Sequence, residues 1–116
     1  MTDESAGDKH AGMDVSGLRR SATERTLERD ELNDDPFLQF EDWFQAACEL
    51  DRNDPNAMSI TTVDGQDRPY ARTVLLKSFD ERGFVFYTNY ESRKAKHIEA
   101  NPNVALLFFW SELGRQ

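Results

Sequence analysis

Residues 69–77 read PYARTVLLK, a run of Pro69, Tyr70, Ala71, Arg72, Thr73, Val74, Leu75, Leu76 and Lys77. It is rich in β-branched and large apolar residues, and in an extended chain successive side chains point to opposite faces. Tyr70, Arg72, Val74 and Leu76 then share one face, and Ala71, Thr73, Leu75 and Lys77 share the other. Arg72 and Lys77 therefore oppose each other across a regular strand. They can serve one ligand only at a rim or a bend. Upstream, Ala57–Val63 (AMSITTV) is a second strand, joined to the first through a turn that starts at Asp64-Gly65. Downstream, Asp80-Glu81-Arg82-Gly83 marks another turn and Gly83–Thr88 (GFVFYT) a third strand. Two successive hairpins predict an antiparallel meander.

Helices flank this meander. Asp35-Pro36 has the pattern of a helix start, with Asp as N-cap and Pro at the first helical position. Phe37, Phe40, Phe44 and Ala47 recur at helical spacing, widened by Trp43, Ala46 and Leu50. This amphipathic helix ends before Asn53-Asp54-Pro55. Cys48 lies in it beside core positions and is read as a small packed side chain. Ser92 is the N-cap of a second helix, Arg93–Ala100, which Asn101-Pro102 stops. Val104–Trp110 (VALLFFW) is almost wholly apolar, as a strand buried on both faces would be. The fold class expected is mainly β with flanking helices, a small antiparallel barrel with the helices outside.

The chain has 116 residues, 22 acids against 14 Lys+Arg, a net charge of −8 and a mean hydropathy of −0.75. One domain is the ceiling at that length. The acidic balance argues against general nucleic-acid binding. No stretch approaches the ~20 apolar residues of a membrane span. No apolar signal region opens the chain and Cys48 is the only cysteine, so a cytoplasmic location is expected. Residues 1–34 are small, polar and charge-rich, and are read as a disordered tail and N-terminal arm; the ordered domain is expected over 35–116. His10 falls in the tail, and His97 is expected on an exposed helix face. No metal site and no nucleophilic triad is expected.

Against that acidic background, Ser92-Arg93-Lys94 places two cations at a helix start. Basic side chains there oppose the helix dipole and cost stability. The same place offers free backbone N–H groups, a hydroxyl and two positive charges to an anion. Arg72 and Lys77 add cations on the preceding strand, and Tyr87 and Thr88 add hydroxyls. The cluster points to a phosphorylated ligand.

The ordered series RTVLLK (72–77), FYTN (86–89), SRKAKHIEANP (92–102), VALLFFW (104–110) and WSELGRQ (110–116) resembles the pyridoxamine 5′-phosphate oxidase family. So do DPFLQFEDWFQAA (35–47) and NDPNAMSITTVD (53–64). The resemblance implies an FMN-binding split β-barrel that works as a homodimer. It implies oxidation of pyridoxine or pyridoxamine 5′-phosphate to pyridoxal 5′-phosphate, with oxygen as acceptor. Arg72, Thr73, Val74, Leu75, Leu76 and Lys77 would line FMN, with Arg72 near its phosphate. Tyr87 and Thr88 would continue the flavin site, Arg93 and Lys94 would hold the phosphate, and Gln116 would be a further flavin contact. Lys77 and Arg19 would touch substrate; Ala22 departs from the family pattern, which has tyrosine three residues after that arginine. The resemblance further implies that the chain is the N-terminal portion of a longer protein, with its barrel incomplete. Two other readings stand beside it: another split-barrel flavin reductase or oxidase, and a non-catalytic FMN-binding dimerisation module.

Overall fold

A computed structural model describes residues 11–18, 27–50, 54–88 and 91–116. Two helices and five short strands run in the order α1 (Pro36–Leu50), β1 (Ala57–Val63), β2 (Pro69–Leu75), β3 (Ser78–Asp80), β4 (Gly83–Val85), α2 (Arg93–Ala100) and β5 (Ala105–Leu107). Single 3-10 turns lie at Arg29–Glu31 and Ser111–Leu113. Asp35 opens α1: its Oδ1 accepts from the N–H of Phe37 at 2.9 Å.

The sheet order is β2-β1-β5, and both neighbours run antiparallel to β1. The β1–β2 register runs from Ala57 opposite Leu75 to Val63 opposite Pro69. The connecting turn is closed by the Asp64 carboxylate, which accepts from the N–H groups of Gln66 at 2.8 Å and Arg68 at 3.0 Å. Asp67 takes the left-handed conformation there, φ 61°, one that Asp tolerates better than most residues.

The second hairpin departs from the expected meander. Strand β4 pairs with β3 in a separate two-stranded sheet, not with β2. The chain changes sheets at Leu76-Lys77. The N–H of Leu76 donates back to Asn56 O, whereas that of Lys77 donates to Val85 O. Asn56 Nδ2 in turn donates to Leu76 O at 3.0 Å, locking the crossover. Regular pairing ends at Val85, so Phe86, Tyr87 and Thr88 lie beyond the strand. The two sheets do not close on each other among the described residues.

The core gathers Ala47, Met58, Leu76, Phe108 and Trp110, with Phe40, Phe44, Phe79 and Phe84 packed against it. Phe40 is its aromatic centre, with ring centroids 4.9–5.8 Å from Phe44, Phe79, Phe84, Phe108 and Trp110. Trp110 Nε1 donates to Pro55 O at 3.0 Å, giving its one polar atom a partner.

The expectation of a strand buried on both faces over 104–110 is overturned. Pairing covers only Ala105–Leu107, and burial alternates. Phe108 and Trp110 are each 8% exposed, while Leu107 is 49% and Phe109 67% exposed. The reason is position: β5 is an edge strand whose one partner is β1. Its inward residue Leu106 packs against the core cluster, and Leu107 on the other face is left exposed among the described residues. Among the described residues no helix is long and apolar enough to cross a membrane.

Candidate functional site

The site lies where the inner face of β2 meets the start of α2. Alternation along β2 is as its sequence predicts: Tyr70, Arg72 and Val74 are half-buried, and Ala71, Thr73 and Leu75 are exposed. Arg72 is held by one nitrogen. Its Nη1 donates to Thr62 Oγ1 at 2.8 Å, Tyr70 O at 3.1 Å and Ile60 O at 3.4 Å. All three acceptors are neutral, so no carboxylate among the described residues cancels its charge. Its Nε and Nη2 donors remain unused among those residues.

Tyr70 joins the cations. Its carbonyl accepts from Arg72, and the Arg93 guanidinium sits 5.5 Å from its ring centroid, within cation–π range. Its other contacts are the His97 ring, 4.7 Å away centroid to centroid, and Asp64 Oδ2, to which its hydroxyl donates at 3.2 Å. Hydrogen bonds from Arg68, Gln66 and Tyr70 hold the Asp64 carboxyl below the ordinary carboxylate range, the Arg68 N–H most of all. Asp64 therefore stays ionised at the outer edge of the cluster.

Ser92 caps α2 as expected, its Oγ accepting from Ala95 N at 3.3 Å. Thr88 Oγ1 lies 3.1 Å from that same Oγ, tying the segment after β4 to the helix start. The cap occupies the N–H of Ala95, and that of Lys96 bonds Ser92 O. The N–H groups of Arg93 and Lys94 have no partner among the described residues. Two backbone donors, the Ser92 hydroxyl, Arg93 and half-buried Lys94 at the helix start, with the spare donors of Arg72 on the far side of Tyr70, are the groups that could serve an anion. A phosphate monoester, with several acceptor oxygens and up to two negative charges, suits that set.

The other expected positions lie elsewhere in the fold. Leu76 is 4% exposed and belongs to the hydrophobic core. Lys77 is exposed at the sheet crossover, and Tyr87 is 76% exposed. Gln116 is exposed and lines a cavity of about 430 Å³ between α1 and β5, beside Phe40 and Trp43. Arg19 and Ala22 fall outside the described residues.

The expectation that His97 lies on an exposed face is wrong. His97 is 9% exposed, and its Nδ1 is 2.9 Å from the hydroxyl of Thr62, which has no exposed surface. The short helix turns the face carrying Ala95 and His97 onto β1. Thr62 and Tyr70 were not singled out from the sequence either. The available signal was parity: Tyr70 shares Arg72's face, and Thr62 pairs with Tyr70 across the hairpin. Among the described residues no group of His, Cys, Asp and Glu could hold a metal ion.

The fold defines a class, a mainly β, split-barrel-type protein, and the cluster is its candidate anion site. A family model described as pyridoxamine 5′-phosphate oxidase matches residues 44–116, and the chain belongs to that family. It is 59% identical over 104 residues to a pyridoxine/pyridoxamine 5′-phosphate oxidase of Crocosphaera subtropica, covering 90% of this chain and 49% of the relative. Against the oxidase of the same description from Rubrobacter xylanophilus it is 56% identical over 106 residues, covering 91% and 49%. The chain spans about half the length of the curated relatives it matches. Among solved structures it resembles PhzG from Burkholderia lata, in complex with tetrahydrophenazine-1-carboxylic acid, with a TM-score of 0.71 and 25% identity over 80% of this chain and 46% of that one. A pyridoxamine 5′-phosphate oxidase-related, FMN-binding protein from Nostoc punctiforme shares the fold at a TM-score of 0.58 and 19% identity, over 70% of this chain and 42% of that one.

Proposed function

We propose that this chain carries the phosphate end of an FMN site in an oxidase that converts pyridoxine or pyridoxamine 5′-phosphate to pyridoxal 5′-phosphate. The observation that carries this reading is the Arg72–Tyr70–Arg93 arrangement at the start of α2: two guanidiniums with no ion-pair partner among the described residues, in an acidic chain. Family membership supplies the kind of ligand, and the cluster supplies a fitting place for its phosphate. Bound FMN would accept two electrons and a proton from the substrate carbon, with oxygen as the final acceptor.

The protein's own part is binding and orientation. Arg93 and Lys94 neutralise the phosphate, and Arg72 reaches it from β2. Thr88 supports the cap from the other side. By the family resemblance, Thr73, Val74, Leu75 and Leu76 would line the flavin, and Tyr87 and Gln116 would be further contacts. Lys77, exposed at the sheet crossover, is assigned to the same ligand as Arg72 by the family resemblance, despite their opposite parity. In that role it would supply a positive charge that favours the negative charge of the reduced ring. Arg19 is assigned to substrate. The working assembly is a homodimer and its compartment the cytoplasm.

The test is ligand discrimination. Replacing Arg93 and Lys94 together by alanine removes two charge-assisted contacts, so FMN binding should weaken by about tenfold to a hundredfold. Riboflavin, which lacks the phosphate, should bind as before. Lys96→Ala should leave both affinities unchanged. Flavin fluorescence titration reads all three results, and equal losses for FMN and riboflavin would refute the phosphate assignment.

A further inference from the structure

Thr62 is a polar residue at the centre of the sheet with no exposed surface. A buried hydroxyl is costly unless its hydrogen bonds are made. Here both partners belong to the cation cluster or its support: Arg72 Nη1 at 2.8 Å and His97 Nδ1 at 2.9 Å. Three elements meet at this one oxygen: β2 brings Arg72, β1 brings Thr62 and α2 brings His97.

We propose that Thr62 and His97 are positioning residues, a buried pair that holds the Arg72 guanidinium at the phosphate end of the site. This rests on the reading of Arg72 as a phosphate ligand. The proposed chain has one direction, of which the guanidinium fixes the first step. A guanidinium only donates, so Arg72 takes a lone pair of Thr62 Oγ1. The proposal directs the hydroxyl proton to Nδ1 of His97, 2.9 Å away. In the proposed chain Nδ1 is the acceptor, which puts the ring proton on Nε2. An imidazolium would instead donate from Nδ1 and leave the Thr62 proton without this acceptor. It would also add a third positive charge beside Arg72 and Arg93.

The geometry restrains Arg72 through Nη1 alone and leaves Nε and Nη2 for the ligand. Without the pair, the long side chain regains rotamers and must lose them again on binding. The cost therefore falls on a ligand that carries a phosphate and spares one that does not.

Two measurements on the full chain test this. Nitrogen-15 NMR of the unaltered protein at pH 8 reports which ring nitrogen of His97 bears the proton; the expected result is Nε2, and a proton on Nδ1 overturns the proposal. Fluorescence titration with FMN and riboflavin then compares Thr62→Val, His97→Leu and His97→Asn. The first two should bind FMN about fivefold to tenfold more weakly, the scale of one hydrogen bond, with riboflavin unchanged. His97→Asn should stay near the unaltered protein, because its amide oxygen can take the place of Nδ1 as acceptor. Equal weakening toward both flavins would mean a merely structural role, and no weakening would mean none; either sinks the proposal. If the unaltered chain and its Arg93/Lys94 double variant both fail to tell FMN from riboflavin, the phosphate reading itself falls and takes this one with it.

Discussion

The carboxylate of Asp64 accepts three hydrogen bonds, from two backbone N–H groups of its own turn and the hydroxyl of Tyr70, and pairs with the Arg68 guanidinium at 3.4 Å. Those bonds hold its pKa below the ordinary 3.8. A depressed carboxylate contributes stability that is complete above the ordinary pKa and fades as pH falls through the lowered one. Asp64→Ala should therefore lower the melting temperature by a few degrees at neutral pH, and the difference from the unaltered chain should shrink on acidification, as thermal unfolding across pH 2–7 would show (roughly the span in which carboxylates titrate). A constant difference across that range would argue against the turn's dependence on ionised Asp64. The neighbouring Asp67, at φ 61°, sits in a conformation hostile to β-branched residues. Asp67→Val should cost about 1–2 kcal/mol in denaturant unfolding. At this scale the cations were legible in the sequence, because Arg93 and Lys94 at a helix start stand out in an acidic chain. Thr62 and His97 were not, because their role comes from a face of α2 meeting β1, and no local pattern announces that meeting.

Adjacent residues of one segment give the contrast at the scale of elements. Phe108 is 8% exposed inside the aromatic cluster and Phe109 is 67% exposed on the opposite face. Phe108→Ala should destabilise the chain by about 3 kcal/mol through the cavity it leaves. Phe109→Ser should change stability by less than about 0.5 kcal/mol, as surface substitutions do. Chemical denaturation of the two variants in parallel checks this, and similar losses would mean that the outer face is covered. The elements with strong end signals were readable: Asp35-Pro36 opened α1, Ser92 and Asn101-Pro102 bounded α2, and Ala57–Val63 matched β1 to the residue. Elements whose limits depend on partners were not. Phe86, Tyr87 and Thr88 look like strand but lie past the last β3 partner. VALLFFW looks doubly buried, yet apolar composition does not say how many neighbours a strand has.

Over the whole molecule, charge and shape pull in different directions. A net charge of −8 repels itself in the folded chain. The described ion pairs Arg82–Asp80 and Arg68–Asp64 are surface contacts between near neighbours in sequence and offset little of that repulsion. Added sodium chloride should therefore raise the melting temperature between about 0.01 M and 0.15 M, where the Debye length falls from about 30 Å to about 8 Å. A decrease would show that local pairs outweigh the global repulsion.

The sheet order β2-β1-β5 carries a temporal consequence. The hairpin of β1 and β2 joins close neighbours in sequence, whereas Thr61 meets Ala105 only after the intervening chain has been laid down. Contacts of small separation form first and distant ones wait for larger loops to close. Thr62 and Arg72 both belong to the early pair, and His97 arrives with the later piece. During synthesis the guanidinium thus finds its hydroxyl anchor before the imidazole that orients that anchor has docked.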